Sequence, residues 1–282
     1  MKEITPSMVK DLRERTGIGM GKCKEALVLA EGDIEKAIDN LRKAGMAAGL
    51  KKEGRETKEG LILTGSAKDV LVLVEANVET DFVAQNDRFK QFCQDVVDQA
   101  LETKPTSLEE LMKQPYSKDL SITLDQYRNL VIQTLGENIQ VRKCDVVSKH
   151  PNSSYGIYSH MGGKLVVVVE VEGSSDQEQI AKEIGMHVAA ENPEYLNREQ
   201  IPPQVLAREE EIAKSQVQGK PENIVDKIVT GKINAFVDQV CLNSQKYVKD
   251  SSVTVQHFLE AEGKKLGKDL KIKCFWRWKV GQ

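Results

Sequence analysis

The stretch KDVLVLVEANVETDFVAQNDRFKQFCQDVV, residues 68–97, joins two kinds of element across one corner. Its first part, KDVLVLVEANV, is a β-rich apolar run and reads as a buried strand. Its last part, RFKQFCQDVV, reads as a helix. Between them stand an acid and an aromatic, Asp81 and Phe82. Two arrangements account for that pair. Phe82 can tuck under the following helix as a hydrophobic staple, with Asp81 as the helix cap. Alternatively, Phe82 is an exposed aromatic anchor on a rigid corner, which is how interface hot spots are built.

The same order of elements recurs along the chain. EGLILTG and DVLVLVEANV, separated by SAKD, precede a helix near 85–103; YGIYSHM and KLVVVVEVE, separated by GG, precede a helix near 176–191. Hairpin-then-helix, twice, predicts two related α+β subdomains over 59–149 and 150–282, each an antiparallel sheet with helices on one face. SITLDQYRNLVIQTLGENIQV reads as a helix running into a strand. The closing run LKIKCFWRWKV reads as a strand that completes the second sheet. Two helical patterns meet at QGKPEN and predict a helical hairpin inserted over about 195–238.

Ahead of these units, residues 1–45 read as three short helices. Thr5 before Pro6 is a start signal, Asp33 caps the third helix, and Gly45 is read as its end. The corner TGIGM between the first two helices is available for contact. Residues 46–58, MAAGLKKEGRETK, read as a charged linker, with a partly helical course as the alternative.

Bulk properties set the class. A chain of 282 residues with 40% hydrophobic and 29% charged residues fits a soluble protein of two or more domains. The net charge of −3 gives no electrostatic reason for tight non-specific nucleic-acid binding. Five dispersed cysteines with no C-x-x-C pair point to a reducing compartment. The N-terminus lacks the apolar core of a signal peptide, and LVVVVEVEG is too short to span a bilayer. A cytoplasmic protein is expected.

No phosphate loop, dinucleotide fingerprint or H-E-x-x-H motif is present. TGIGMGKCK lacks the phosphate-loop spacing. His150, His160, His187 and His257 make no ligand pairs, so neither a metal nor a cofactor is expected. His187 reads as a packing histidine on a helix; His160, near a hairpin turn, suits contact or a neutral surface role equally. Trp276 and Trp278 share one strand face, where sheet packing is the default.

At TDFVAQN the chain resembles the bacterial elongation factor Ts family, nucleotide-exchange factors for elongation factor Tu. VKDLRERTGIGMGKCKEAL, GDIEKAIDNLRKAG, LGENIQVRK, SYGIYSHMGGKLVVVVEV and MHVAAENPEYL follow in that family's order. The resemblance implies an N-terminal module of the ubiquitin-associated type and a non-enzymatic factor that binds no nucleotide itself. It gives Asp81 and Phe82, flanked by Thr80 and Val83, the role of entering the GTPase domain of Tu near its magnesium site. It adds Met20 and Lys24 of the N-terminal module, Leu135, Gly136 and His160 as Tu-facing positions, and Val248 toward a β-barrel domain of Tu. It implies that the 195–238 hairpin serves contacts between Ts molecules or further Tu contacts. Two departures stand out: Lys249 occupies a place where an apolar neighbour to Val248 is expected, and the further C-terminal helical module of some members is not seen. The rival expectation is an RNA- or ribosome-binding protein without exchange activity, using the 51–60 basic run and the terminal aromatic strand.

Overall fold

The computed structural model describes residues 4–217 and 221–282. The chain divides into two compact units. The first runs to Lys149 and includes 162–164 and 279–282; the second holds His150–Met161 and Leu165–Trp278.

In the first unit, three helices come first: α1 (Pro6–Thr16), α2 (Met20–Leu29) and α3 (Ile34–Lys52). Thr5 and Asp33 cap α1 and α3, as their side chains accept from the backbone N–H groups of Met8 and Lys36. Then follow β1 (Glu59–Ser66), β2 (Val70–Val78), a single turn α4 (Asp81–Ala84), α5 (Asp87–Thr103), α6 (Leu108–Lys113), β3 (Pro115–Tyr116), β4 (Asp119–Thr123), α7 (Leu124–Leu135) and β5 (Ile139–Ser148). The sheet order is β1-β2-β5, antiparallel throughout. The three N-terminal helices share one hydrophobic core with α5, α7 and one face of this sheet, including Leu12, Leu27, Val72, Val74, Phe89 and Phe92.

Here the expected end of the third helix is corrected. The helix α3 does not stop at Gly45 but continues through 46–52. Gly45 and Gly49 are buried notches in it, not terminators. A Cβ on Gly45 would stand 3.2 Å from the Leu130 side chain, and one on Gly49 would stand 1.9 Å from the Asn129 amide oxygen. The two glycines let α3 lie close against α7, and that contact offsets their poor helix propensity.

The second unit contains β6 (Ser153–His160), β7 (Leu165–Glu172), α8 (Glu178–Glu191), α9 (Pro203–Ser215), α10 (Glu222–Val240), β8 (Lys246–Tyr247), β9 (Asp250–Thr254), α11 (Val255–Leu266) and β10 (Lys271–Lys279). The order β10-β7-β6 places the last strand beside β7, as the closing aromatic run predicts. Trp276 and Trp278 are half-buried in it. Helices α9 and α10 pack on each other around Ala213, Val229 and Ile233. The glycine of their QGKPEN joint lies outside the described residues.

The repeat seen as a pattern in the sequence extends to individual contacts. In the first unit the Tyr116 hydroxyl and the Lys118 ammonium both donate to Asp95 of α5 at 2.6 Å. In the second, Tyr247 and Lys249 donate to Glu183 of α8, each at 3.2 Å. Thr123 caps α7 as Thr254 caps α11. Glu75 faces Arg142 at 3.9 Å, and Glu170 faces Lys273 at 3.8 Å. Lys249, the departure from the family pattern, is thus the ion-pair partner of Glu183.

Candidate functional site

The corner after β2 is built by two successive caps. Thr80 is extended, and its hydroxyl oxygen accepts from the Val83 N–H at 3.4 Å, starting the single turn α4. Asn86 accepts from the Arg88 N–H at 2.8 Å and starts α5. Asp81 is therefore the first residue of a turn and not its cap. Ala84 and Val83 face the core. That leaves Phe82 pointing outward at 85% exposure, the most exposed large apolar side chain among the described residues. The staple arrangement is excluded: the ring stands clear of the core on a capped corner. Asp81 lies beside it, also exposed.

Two neighbouring surfaces are tied to this corner. Leu135 ends α7 half-buried, and Gly136 terminates the helix with φ 83°, its N–H donating to Ile132 at 2.9 Å. That left-handed conformation selects glycine. A Cβ there would meet nothing, so Gly136 presents bare backbone to the outside. Thr80 is joined to the same segment through Glu137, which accepts both its N–H and its hydroxyl.

The TGIGM corner is anchored by fully buried Ile18 and leaves Met20 at 51% exposure, with Lys24 exposed one turn along α2. Lys22 donates to the Gln133 carbonyl at 2.9 Å, which fastens α2 to the end of α7. Arg88, two residues after the Asn86 cap, reaches back to the Thr16 carbonyl at 3.5 Å and lies over the Tyr127 ring. Met20, Lys24, Thr80–Val83, Leu135 and Gly136 are thus carried on segments linked within one unit.

His160 and Val248 belong to the second unit. His160 ends β6, exposed, with its Nδ1 3.2 Å from the Tyr158 hydroxyl. Val248 is 44% exposed at the β8–β9 turn, and its N–H donates to the buried His187 Nδ1 at 3.1 Å. The other ring nitrogen, Nε2, then carries the proton and donates to Gln245 Oε1 at 2.9 Å. Burial lowers the His187 pKa, outweighing the Gln245 bond and the Glu191 charge that raise it. The packing histidine is therefore a support for the turn that bears Val248. Its lowered pKa makes the second unit lose stability as pH falls below the free-histidine value of about 6.5, where the unfolded chain takes up the proton first. The protection factor of the Val248 amide, its exchange rate relative to that of an open amide at the same pH, will fall over the same range. His187→Gln will flatten that pH dependence; an unchanged acid limb would refute the assignment. The first unit already uses this solution, since Gln99 accepts from the Ser117 N–H at 3.1 Å in the equivalent turn.

A cleft of about 530 Å3 opens between α1, α3 and the β3–β4 hairpin. Its cations are largely matched internally: Arg15 with Glu35 at 2.7 Å, Arg42 with Asp119 at 3.2 Å, and Lys118 with Asp95. Among the described residues no group of three or more His, Cys, Asp or Glu is placed to hold a metal ion, and no helix is long and apolar enough to cross a membrane.

Comparison with known proteins decides the family. The family model for elongation factor Ts matches residues 79–282, beginning at the corner itself. Elongation factor Ts of Protochlamydia amoebophila is 53% identical over 282 residues, covering all of both chains. Those of Chlamydia felis and Chlamydia muridarum are 42% and 41% identical over 281 residues, again across the full length of both. The chain belongs to the elongation factor Ts family. Its first three helices lie ahead of the matched span, and the full-length relatives cover them. Reading the sequence as an elongation factor Ts finds the surface residues Phe82, Met20 and Val248. It does not find Glu137, Arg88 or His187, whose bonds hold the segments that carry those residues.

Proposed function

We infer that this chain promotes release of GDP from elongation factor Tu, so that GTP can bind, by pressing Phe82 into the GTPase domain near the magnesium and phosphate region. The observation that carries this reading is the aromatic ring of Phe82, 85% exposed on a corner fixed by two caps. Magnesium requires near-ideal octahedral geometry, so a small displacement of its surroundings weakens it. Without the metal the diphosphate loses charge compensation and leaves faster. Asp81, beside the ring, adds negative charge to the same region.

Reciprocity limits what the wedge does alone. If the factor weakens GDP, GDP weakens the factor by the same ratio. A thousandfold coupling is about 4 kcal/mol, while burying one Phe contributes about 1.5–3 kcal/mol. Met20, Lys24, Leu135 and Gly136 from the first unit and His160 and Val248 from the second supply the remaining attachment. The deciding experiment follows release of fluorescent GDP from purified Tu at fixed magnesium. Substoichiometric amounts of this chain will accelerate it; no acceleration by folded protein on a matched Tu overturns the reading.

A further inference from the structure

We propose that Glu137 is a positioning residue for exchange: with Glu79 it forms a reciprocal carboxylate clamp that sets where Phe82 stands relative to Leu135 and Gly136. The inference rests on the reading of Phe82 as the wedge.

The clamp lies where the sheet ends. Strands β2 and β5 are paired as far as Val78 and Ile139. Beyond that pair the chains part, one into the Phe82 corner and the other back toward Gly136. The next backbone donors on each side lose the ladder, and a donor left without a partner is costly. Side chains take over both. Glu137 accepts from the Thr80 N–H at 2.9 Å and from the Thr80 hydroxyl at 2.6 Å. Glu79 accepts from the Asn138 N–H at 2.6 Å. Each segment therefore lends one carboxylate to the other's backbone, and the two bridges are adjacent.

The consequence falls on α4. A single helical turn has too few hydrogen bonds to hold itself. Its cap bond, Thr80 Oγ1 to the Val83 N–H, is long at 3.4 Å. Because the Thr80 hydroxyl donates to Glu137, the lone pairs of that oxygen are left for the Val83 N–H, and the χ1 rotamer of Thr80 is fixed. Both bonds to Glu137 are charge-assisted. Asn138 is itself tied down, its side-chain amide donating to the Arg55 carbonyl at 3.0 Å, so the clamp has a fixed base. Glu137 and Glu79 bond to Thr80 and Asn138, not to Phe82. The effect of Glu137 on exchange would run through geometry.

The test is a double-mutant cycle in the GDP-release assay, with the full chain and intact Tu. Glu137→Ala will lower kcat for exchange about tenfold with KM little changed, because the distant contacts still hold Tu. Glu137→Gln, which keeps one acceptor oxygen, will recover part of the loss. In a Phe82→Ala background, Glu137→Ala will cost nothing further, since a misplaced wedge and an absent wedge are equivalent. A full additional loss in that background would overturn the inference and leave Glu137 an independent contact. So would unchanged kcat in Glu137→Ala when Phe82→Ala alone is slow. If Phe82→Ala itself exchanges normally, the wedge reading falls first and this inference with it. Thermal unfolding of each variant separates these outcomes from loss of fold.

Discussion

Phe82→Ala will slow factor-stimulated GDP release by about tenfold or more, the loss expected when a central aromatic anchor is truncated. The same variant will melt within about 0.5 kcal/mol of the parent, as surface substitutions do. The two expectations belong together. A Phe packed as a staple would cost about 3–5 kcal/mol when cut to alanine, but Phe82 is 85% exposed and its removal opens no cavity. The corner keeps its Thr80 and Asn86 caps, so the backbone that carried the ring stays in place. Phe82→Leu will recover part of the rate, because a smaller apolar wedge still displaces something. Stopped-flow release of fluorescent GDP, read beside a thermal melt, checks both halves. Normal exchange by folded Phe82→Ala would remove the wedge from the mechanism; unfolding with normal exchange per folded molecule would mean that the ring is buried.

What could be read from the chain divides along a physical line. Strands β2 and β7, helices α5 and α8 and their repetition were legible because burial imposes periodicity locally. The course of α3 was not. Gly45 looks like a terminator to a local reading, and only the approach of Asn129 and Leu130 shows it and Gly49 to be packing notches. The corner shows the same division. That an aromatic stood beside an acid was visible at once; that it faced outward depended on Thr80 and Asn86 being the caps in place of Asp81. The clamp from Glu137 to Thr80 crosses 57 positions of sequence and left no local trace.

The repeat also shows how one framework carries two surfaces. In both units a short hairpin donates a turn N–H to the long helix that follows the first two strands: Ser117 to Gln99 of α5 in the first, Val248 to His187 of α8 in the second. The turns are equivalent, yet the first shows solvent a serine and the second a valine. The segments after β2 and β7 differ more. The first holds the capped corner with Phe82. The second holds a polar knot in which Lys268 donates to both Asp176 and Ser174. The shared contacts maintain each unit even where their residues differ, as with Gln99 and His187, and the differences that change the surface fall at the turns.

That distinction predicts which polar residues matter to stability. Asp95 is 2% exposed and accepts from Tyr116, Tyr127, Gln91 and Lys118 at 2.6–3.2 Å. Burial alone would raise its pKa; the bonds from Lys118, Tyr116 and Gln91 outweigh burial and hold it below the ordinary carboxylate range. Its contribution is therefore complete above the unfolded value of about 3.9 and lost as pH falls through the lower folded value. Asp95→Ala leaves two buried phenols and an ammonium without their acceptor, a loss of about 3–5 kcal/mol when one partner of a buried polar set is removed. Glu183→Ala, the matching change in the second unit, will cost about 1 kcal/mol, since Glu183 is half-buried with longer bonds. Hydrogen exchange at the amides of α5 and α7 will report the first loss, and at those of α8 the second. Equal protection losses in the two variants would show that the bonds to Asp95 contribute no more than those to Glu183, whatever their burial.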